Sequence, residues 1–265
     1  MLGGIRCLSA TEARCSPASL FGEAPVLDVP YAETRPAVVA KMLDMAGLRP
    51  GDRVVDLGTG DGRILLTAAA RGASGVGVDI DPVLVARANA AAREQGLGDR
   101  AVFRTQDLFR TPLTDADVVT MFLLPEVNLR LRPRLLAEAR PGTRVVSHAF
   151  TMGDWSPDGV GRVGGSRLYL WIVPAVVAGA WRLDDGRTLT LRQAFQRIAG
   201  ELDGVPIAEA RLAGDRLAFT VQGTRYAARL ATDQMVGDGW SAALQVTSNS
   251  PAAPIPPAVH IDTTT

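Results

Sequence analysis

Three glycines spaced two apart, Gly58, Gly60 and Gly62, follow directly on the apolar run Val54-Val55-Asp56-Leu57. A short apolar run that stops at a glycine cluster reads as a buried strand entering a tight turn. Ile64, Leu65, Leu66 and Ala68 then give a helical apolar pattern, so the turn opens a helix over about 62–71. Glycines let the backbone take positive φ and approach a ligand closely, and the helix N-terminus adds N–H groups aimed at it. The dinucleotide fingerprint G-x-G-x-x-G would place its third glycine at position 63, where Arg63 stands. The spacing is Asp-x-Gly-x-Gly-x-Gly instead. An acid at the strand end, Asp56, repels a pyrophosphate but suits a cationic amine or its hydrogen-bonded waters.

That spacing resembles the first motif of the class I methyltransferases, whose cofactor is S-adenosylmethionine (AdoMet). AdoMet has an amino-acid tail, a sulfonium and an adenosine, and no pyrophosphate. The resemblance implies a Rossmann-like α/β sheet, with Asp56, Gly58, Thr59, Gly60 and Gly62 around the cofactor. A second buried strand, 75–80, ends at Asp79 and Ile80. A carboxylate there can accept both ribose hydroxyls of an adenosine. Residues 101–105 form a third strand, followed by Asp107 and Leu108. Asp107 is placed to accept the adenine amino group with Leu108 packing on the ring, or it is an ordinary turn aspartate.

Upstream, Thr34 is a candidate helix cap before Pro36, and Val38, Val39, Met42 and Leu43 supply the apolar face of a first helix. Lys41, the sole lysine, falls on that helix away from the face and should point to solvent. Downstream, 117–125 reads as a fourth strand adjacent to the first. A helix of Val127, Leu129, Leu131, Leu135 and Leu136 follows, with Pro133 expected to break or restart it. A fifth strand at 143–147 precedes His148, Phe150 and Trp155, and two more strands fall near 159–163 and 166–173. Alternating strands and helices predict a parallel sheet over roughly 30–173.

Beyond Pro174 the pattern changes. Short segments near 180–183, 188–195, 207–212, 216–221 and 225–230 are separated by Asp-Gly, Gly-Asp or Gln-Gly turns, which predicts a C-terminal antiparallel β-meander. The organisation expected is a disordered segment 1–28, an AdoMet-binding methyltransferase domain 29–174, an accessory β unit 175–240 that serves the acceptor side, and a disordered tail 241–265.

With 47% hydrophobic and 21% charged residues the chain reads as globular, and its zero formal charge argues against a nucleic-acid groove as its main surface. Cys7 and Cys15 are its two cysteines, too few for a disulfide framework or a four-thiolate metal site, and no metal is expected. No run of about eighteen apolar residues suggests a membrane span. Arg6 and Arg14 interrupt any leader-like apolar stretch, so a cytoplasmic protein is expected.

A closer resemblance rests on Pro30-Tyr31 with Thr34, the block 56–63, residues 118–125, the run 142–147 and Trp155-Ser156-Pro157. Together these are similar to the seven-β-strand lysine methyltransferases of the ATP synthase c-subunit and the adenine nucleotide translocator. Family members often read Pro-Thr-Pro where this chain has Glu33-Thr34-Arg35, and they lack its β-meander. The resemblance implies N-methylation of a protein lysine. A small-molecule methyltransferase and a non-catalytic AdoMet-binding module share every cofactor residue and stay open. Candidates on the acceptor side are Glu33, Thr34, Glu126, Asn128, His148 and Trp155. For His148 a structural hydrogen bond at a strand end is the other reading. Glu126 can equally be a first-turn helix acid, and Trp155 can cover an edge of the core.

Overall fold

The computed structural model describes residues 32–245. The expectations for 1–28 and for 246–265, and the Pro30-Tyr31 pair, lie outside the described residues. Within them, sixteen strands form two sheets.

The first sheet is built on β1 (Arg53–Leu57), with β2 (Ser74–Asp79) and β3 (Ala101–Thr105) on one side. On the other side lie β4 (Val118–Met121), β5 (Arg144–His148), β7 (Ser166–Ile172) and β6 (Gly159–Val163). The first five strands are parallel, so their carboxyl ends share one rim, and the strand order reverses between β1 and β4. Open α/β sheets bind ligands at such a reversal. The sheet is mixed rather than wholly parallel, because β7 runs antiparallel to both β5 and β6. Helices α1 (Pro36–Met45), α2 (Arg63–Ala70) and α3 (Pro82–Glu94) cover one face. Helix α4 (Pro125–Glu138) covers the other, together with Trp155 and Trp171. Lys41 is exposed on α1.

Three local expectations change. The cap of α1 is Arg35 in extended conformation, with no side-chain cap bond; the Thr34 hydroxyl instead faces His148. Pro133 does not break α4. A proline inside a helix costs about 3 kcal/mol, and here fully buried Leu131 and Leu135 on either side of it pin both halves to the sheet. Leu129, expected on the apolar face, is exposed.

The second sheet comprises β8 (Gly179–Leu183), β9 (Thr188–Ala194), β10 (Arg197–Leu202), β11 (Val205–Pro206), β12 (Ala208–Ala213), β13 (Arg216–Val221), β14 (Thr224–Ala231), β15 (Gln234–Gly237) and β16 (Ser241–Leu244). Its order is β11-β10-β9-β8-β16-β15-β14-β13-β12. It is therefore not a simple meander, since the last strand inserts between β8 and β15. The disordered tail expected from 241 is corrected for 241–244, where backbone pairing on both sides orders a stretch of small residues with no β-branched member. Trp181, Phe219, Leu189, Leu191 and Met235 form a core of its own.

Register also fixes where this second sheet attaches. Leu168 pairs with His148 and Ile172 with Arg144, so the chain leaves β7 at the amino-terminal rim. There Val173 N–H donates to Thr143 O (2.9 Å) and Ala175 N–H to Gly214 O (2.8 Å). The second sheet thus joins the end of the first sheet opposite the carboxyl rim.

Candidate active site

At the carboxyl rim, a cleft lies over β1, β2 and β3 and is walled by the lead-in to α1 and by Phe122 and Leu123 after β4. Its floor is the glycine turn. Gly58, Gly60 and Gly62 all have positive φ (72°, 56° and 83°), which only glycine adopts without strain. Space requires glycine here as well. A Cβ on Gly58 would lie 2.7 Å from Leu123 Cδ2, and one on Gly62 would lie 2.6 Å from the Phe103 ring.

Asp56 stands beneath this floor rather than in the cleft. It is buried, and its two carboxylate oxygens each accept a hydroxyl, from Thr59 (2.6 Å) and Thr120 (2.6 Å). Burial pushes its pKa up to about 6, against the opposing pull of those two bonds and with a further rise from Asp79 and Asp61. The carboxylate therefore ties β1, the turn and β4 together.

Asp79 does line the cleft. One oxygen accepts from Gly60 N–H (2.8 Å) and the other from Asp81 N–H (3.0 Å), which orients the group and leaves a lone pair on each oxygen. Ile80, 43% exposed, and Leu108 flank it as apolar surface. Asp107 lines the cleft and also caps a 3₁₀ turn, accepting from Phe109 N–H (2.8 Å). Thr59 and Gly60 lie in the lining.

The acceptor-side candidates separate. Thr34 lines the cleft, with its hydroxyl 3.5 Å from His148 Nδ1, and the His148 ring lies 4.0 Å from that of Phe122. Burial, followed by the nearby Arg35 guanidinium, lowers the His148 pKa below 6.5, so the imidazole is mainly neutral at pH 7. Asn128 is buried behind this group. Its Nδ2 donates to Ser147 Oγ (3.2 Å), and its Oδ1 has no hydrogen-bond partner among the described residues. Glu126 is exposed in the first turn of α4, where a helix favours an acid, and Glu33 pairs with Arg63 (3.2 Å). Trp155 is wholly buried in the core, its indole N–H donating to Gln196.

Sequence reasoning missed several lining residues. Arg63 donates to Thr34 O (3.0 Å) and bonds Asp61 (2.9 Å), joining the glycine turn to the lead-in of α1. Its place in the glycine spacing was the available signal. Phe122 and Leu123 could have been found as the first residues past the strand next to β1. Gln106 carried no such signal.

This architecture has known counterparts. Residues 56–159 match the ANTKMT methyltransferase domain family. A protein-lysine N-methyltransferase from Saccharolobus islandicus is 40% identical over 151 residues, 55% of this chain and 94% of that protein. The chain belongs to this methyltransferase family. The mouse adenine nucleotide translocase lysine N-methyltransferase is 36% identical, and the match spans 56% of this chain but 64% of the mouse protein. A solved RNA methyltransferase from Salinibacter ruber, bound to S-adenosyl-L-homocysteine, is 45% identical with a TM-score of 0.54, covering 55% of this chain and 96% of its own. The protein is thus a methyltransferase enzyme with AdoMet as its cofactor. The cleft fits that molecule, with a floor that excludes side chains, a carboxylate with spare lone pairs and apolar flanks. Among the described residues, no helix is long and apolar enough to cross a membrane.

Proposed function

We propose that this methyltransferase modifies the ε-amine of a protein lysine, with the acceptor entering beside Thr34, Phe122 and His148. The observation that carries the reading is the similarity to the Saccharolobus islandicus enzyme over nearly all of that protein's length. AdoMet, when bound, supplies a methyl group already activated by sulfonium. Asp79 would hold the ribose hydroxyls, Asp107 and Leu108 the adenine, and the 58–62 turn the amino-acid tail. Asp56 would act by fixing that turn.

The remaining task for the protein is to bring a neutral amine into line. Lysine has a reference pKa of about 10.4 and an ammonium has no lone pair, so the proton must leave before attack. The apolar wall of Phe122 and Leu123 disfavours the charged amine by desolvation. His148, neutral and set within reach of the Thr34 hydroxyl, can take up the released proton. Positioning of the two reactants supplies most of the rate. An AdoMet-using enzyme of this kind belongs in the cytoplasm, where the cofactor is made.

The similarity to the Salinibacter ruber protein favours a second acceptor class, RNA. Incubating the enzyme with methyl-labelled AdoMet and a cell extract, then separating protein, RNA and small molecules, distinguishes them. Label in methyl-lysine after acid hydrolysis of the protein fraction is the expected result. Label in RNA or in metabolites would overturn the lysine assignment.

A further inference from the structure

Segment 149–158 leaves the carboxyl rim at His148 and descends alongside α4 to the opposite rim, where Asp158 accepts from Ile172 N–H (2.7 Å). Helix α4 fastens it twice. Asn128 Nδ2 donates to Phe150 O and Thr151 O (3.4 Å each), and Arg132 donates to Met152 O (2.8 Å) while pairing with Asp154. The second sheet fastens it a third time, through the tip of the β9–β10 hairpin. Gln196 Oε1 accepts from the Trp155 indole (3.1 Å), and Gln196 Nε2 donates to Ser156 O (2.6 Å). The Phe195 ring stacks on Trp155 at 5.9 Å and 17°, with the Arg132 guanidinium 5.5 Å from its centroid.

The conformation of that tip is costly. Ala194 pairs with Arg197, so Phe195 and Gln196 form a two-residue hairpin turn, and Phe195 takes φ 57° at the position where glycine is favoured. A non-glycine residue in this region persists only where its surroundings hold it. Here Gln193 Nε2 holds the Phe195 carbonyl from within the hairpin (2.7 Å), while the ring is held by Trp155 of segment 149–158 and by Arg132 of α4. The upper end of segment 149–158 touches the acceptor-side group directly: Phe150 N–H donates to His148 O (3.0 Å), and Asn128 spans Ser147, Phe150 and Thr151.

We infer that Phe195 and Gln196 are positioning residues for methyl transfer, holding segment 149–158 against α4 and so fixing Asn128 and His148 beside the cleft. The inference rests on the proposed reading that the acceptor enters beside His148. It gives the second sheet a part in the reaction although that sheet attaches at the far rim. The cofactor residues stand apart from this path, so AdoMet affinity is independent of it.

The test uses the full chain with Gln196→Ala, which removes its three side-chain hydrogen bonds, to Trp155, Ser156 and Asp158, and Phe195→Gly, which removes the ring while relaxing the turn so that the hairpin still forms. Phe195→Tyr keeps the stack and serves as the conservative rescue. The chain has two histidines, His148 and His260, so imidazole signals can be assigned and titrated by NMR. The expected result is a His148 titration displaced upward toward 6.5 in the Ala and Gly variants and unmoved in Phe195→Tyr. With poly-L-lysine as the acceptor probe, apparent KM should rise about tenfold, with AdoMet affinity by calorimetry unchanged. An unmoved His148 titration in both variants, with only a lowered melting temperature, would overturn the inference and leave the tip a structural contact. Failure of the unsubstituted enzyme to methylate poly-L-lysine would count against the lysine reading instead, and the His148 titration would then decide the positioning role alone.

Discussion

The two sheets solve burial differently. In the first, β4 is buried along its whole length, Val118, Val119, Thr120 and Met121 alike, because helices cover both faces. In the second, β13 and β14 alternate, with Leu217, Phe219, Val221, Ala228 and Leu230 facing one core and arginines facing water. A sheet buried on both faces has only its rims free for chemistry, and the cleft, with Asp79 and Asp107, sits on one of them. A sheet with one wet face has no such constraint, and this one makes its contribution through a hairpin tip. Stability and cofactor binding should therefore be separable between the two regions.

The strongest challenge to that separation is Trp181→Ala. Trp181 is 1% exposed, and its indole donates to Val177 O (2.8 Å) in the core of the second sheet. Truncating a buried tryptophan costs about 3–5 kcal/mol. The loss should appear in unfolding of the second sheet, followed by denaturant titration, with AdoMet affinity by calorimetry unaffected. A parallel fall in affinity would mean that the two sheets unfold as one unit.

Next in size is the response to pH. The Asp56 carboxyl titrates at about 6 when folded and 3.8 when unfolded. Between these values the folded chain holds a proton that the unfolded chain has lost. Stability therefore falls as pH rises from about 4 to about 6, by about 3 kcal/mol in all, and is level above. Asp56→Asn should remove this slope, and denaturant midpoints measured across that window check it. A slope that survives the substitution would assign it to other groups.

Asp79→Ala probes the rim itself. Loss of charge-assisted ribose bonds should weaken AdoMet binding by about 1.5–3 kcal/mol, roughly tenfold or more. Calorimetry should also show a larger loss for Asp79→Ala than for Asp56→Asn, since Asp79 lines the cleft and Asp56 does not. The reverse order would place the amino-acid tail against Asp56 after all.

Legibility in the sequence followed the same division. The glycine spacing, the acids at 79 and 107 and the apolar runs of β1 to β5 were readable because local chemistry dictates them. Asp56 was found, but its partner Thr120 lies 64 residues away, and only the fold shows the carboxylate buried and bonded on both oxygens by hydroxyls. Trp155 looked like an acceptor-side group because it follows β5, yet segment 149–158 carries it down into the core. Strands β10, β15 and β16 were missed since Ile198, Met235 and Ala242 gain their apolar surroundings only from distant strands.

Strand β16 has a consequence for how the chain is made. It fills the gap between β8 and β15, pairing Ala242 with both Leu183 and Met235. Every strand of the first sheet has left the ribosome once Ile172 has emerged, so that sheet can form while synthesis continues. The second sheet has no such freedom. Until residues 241–244 emerge, β8 and β15 each present an unpaired edge, the kind of surface that recruits other chains. The enzyme therefore gains its cofactor-binding half early, and its second sheet closes only when β16 arrives to join two hairpin arrays made before it.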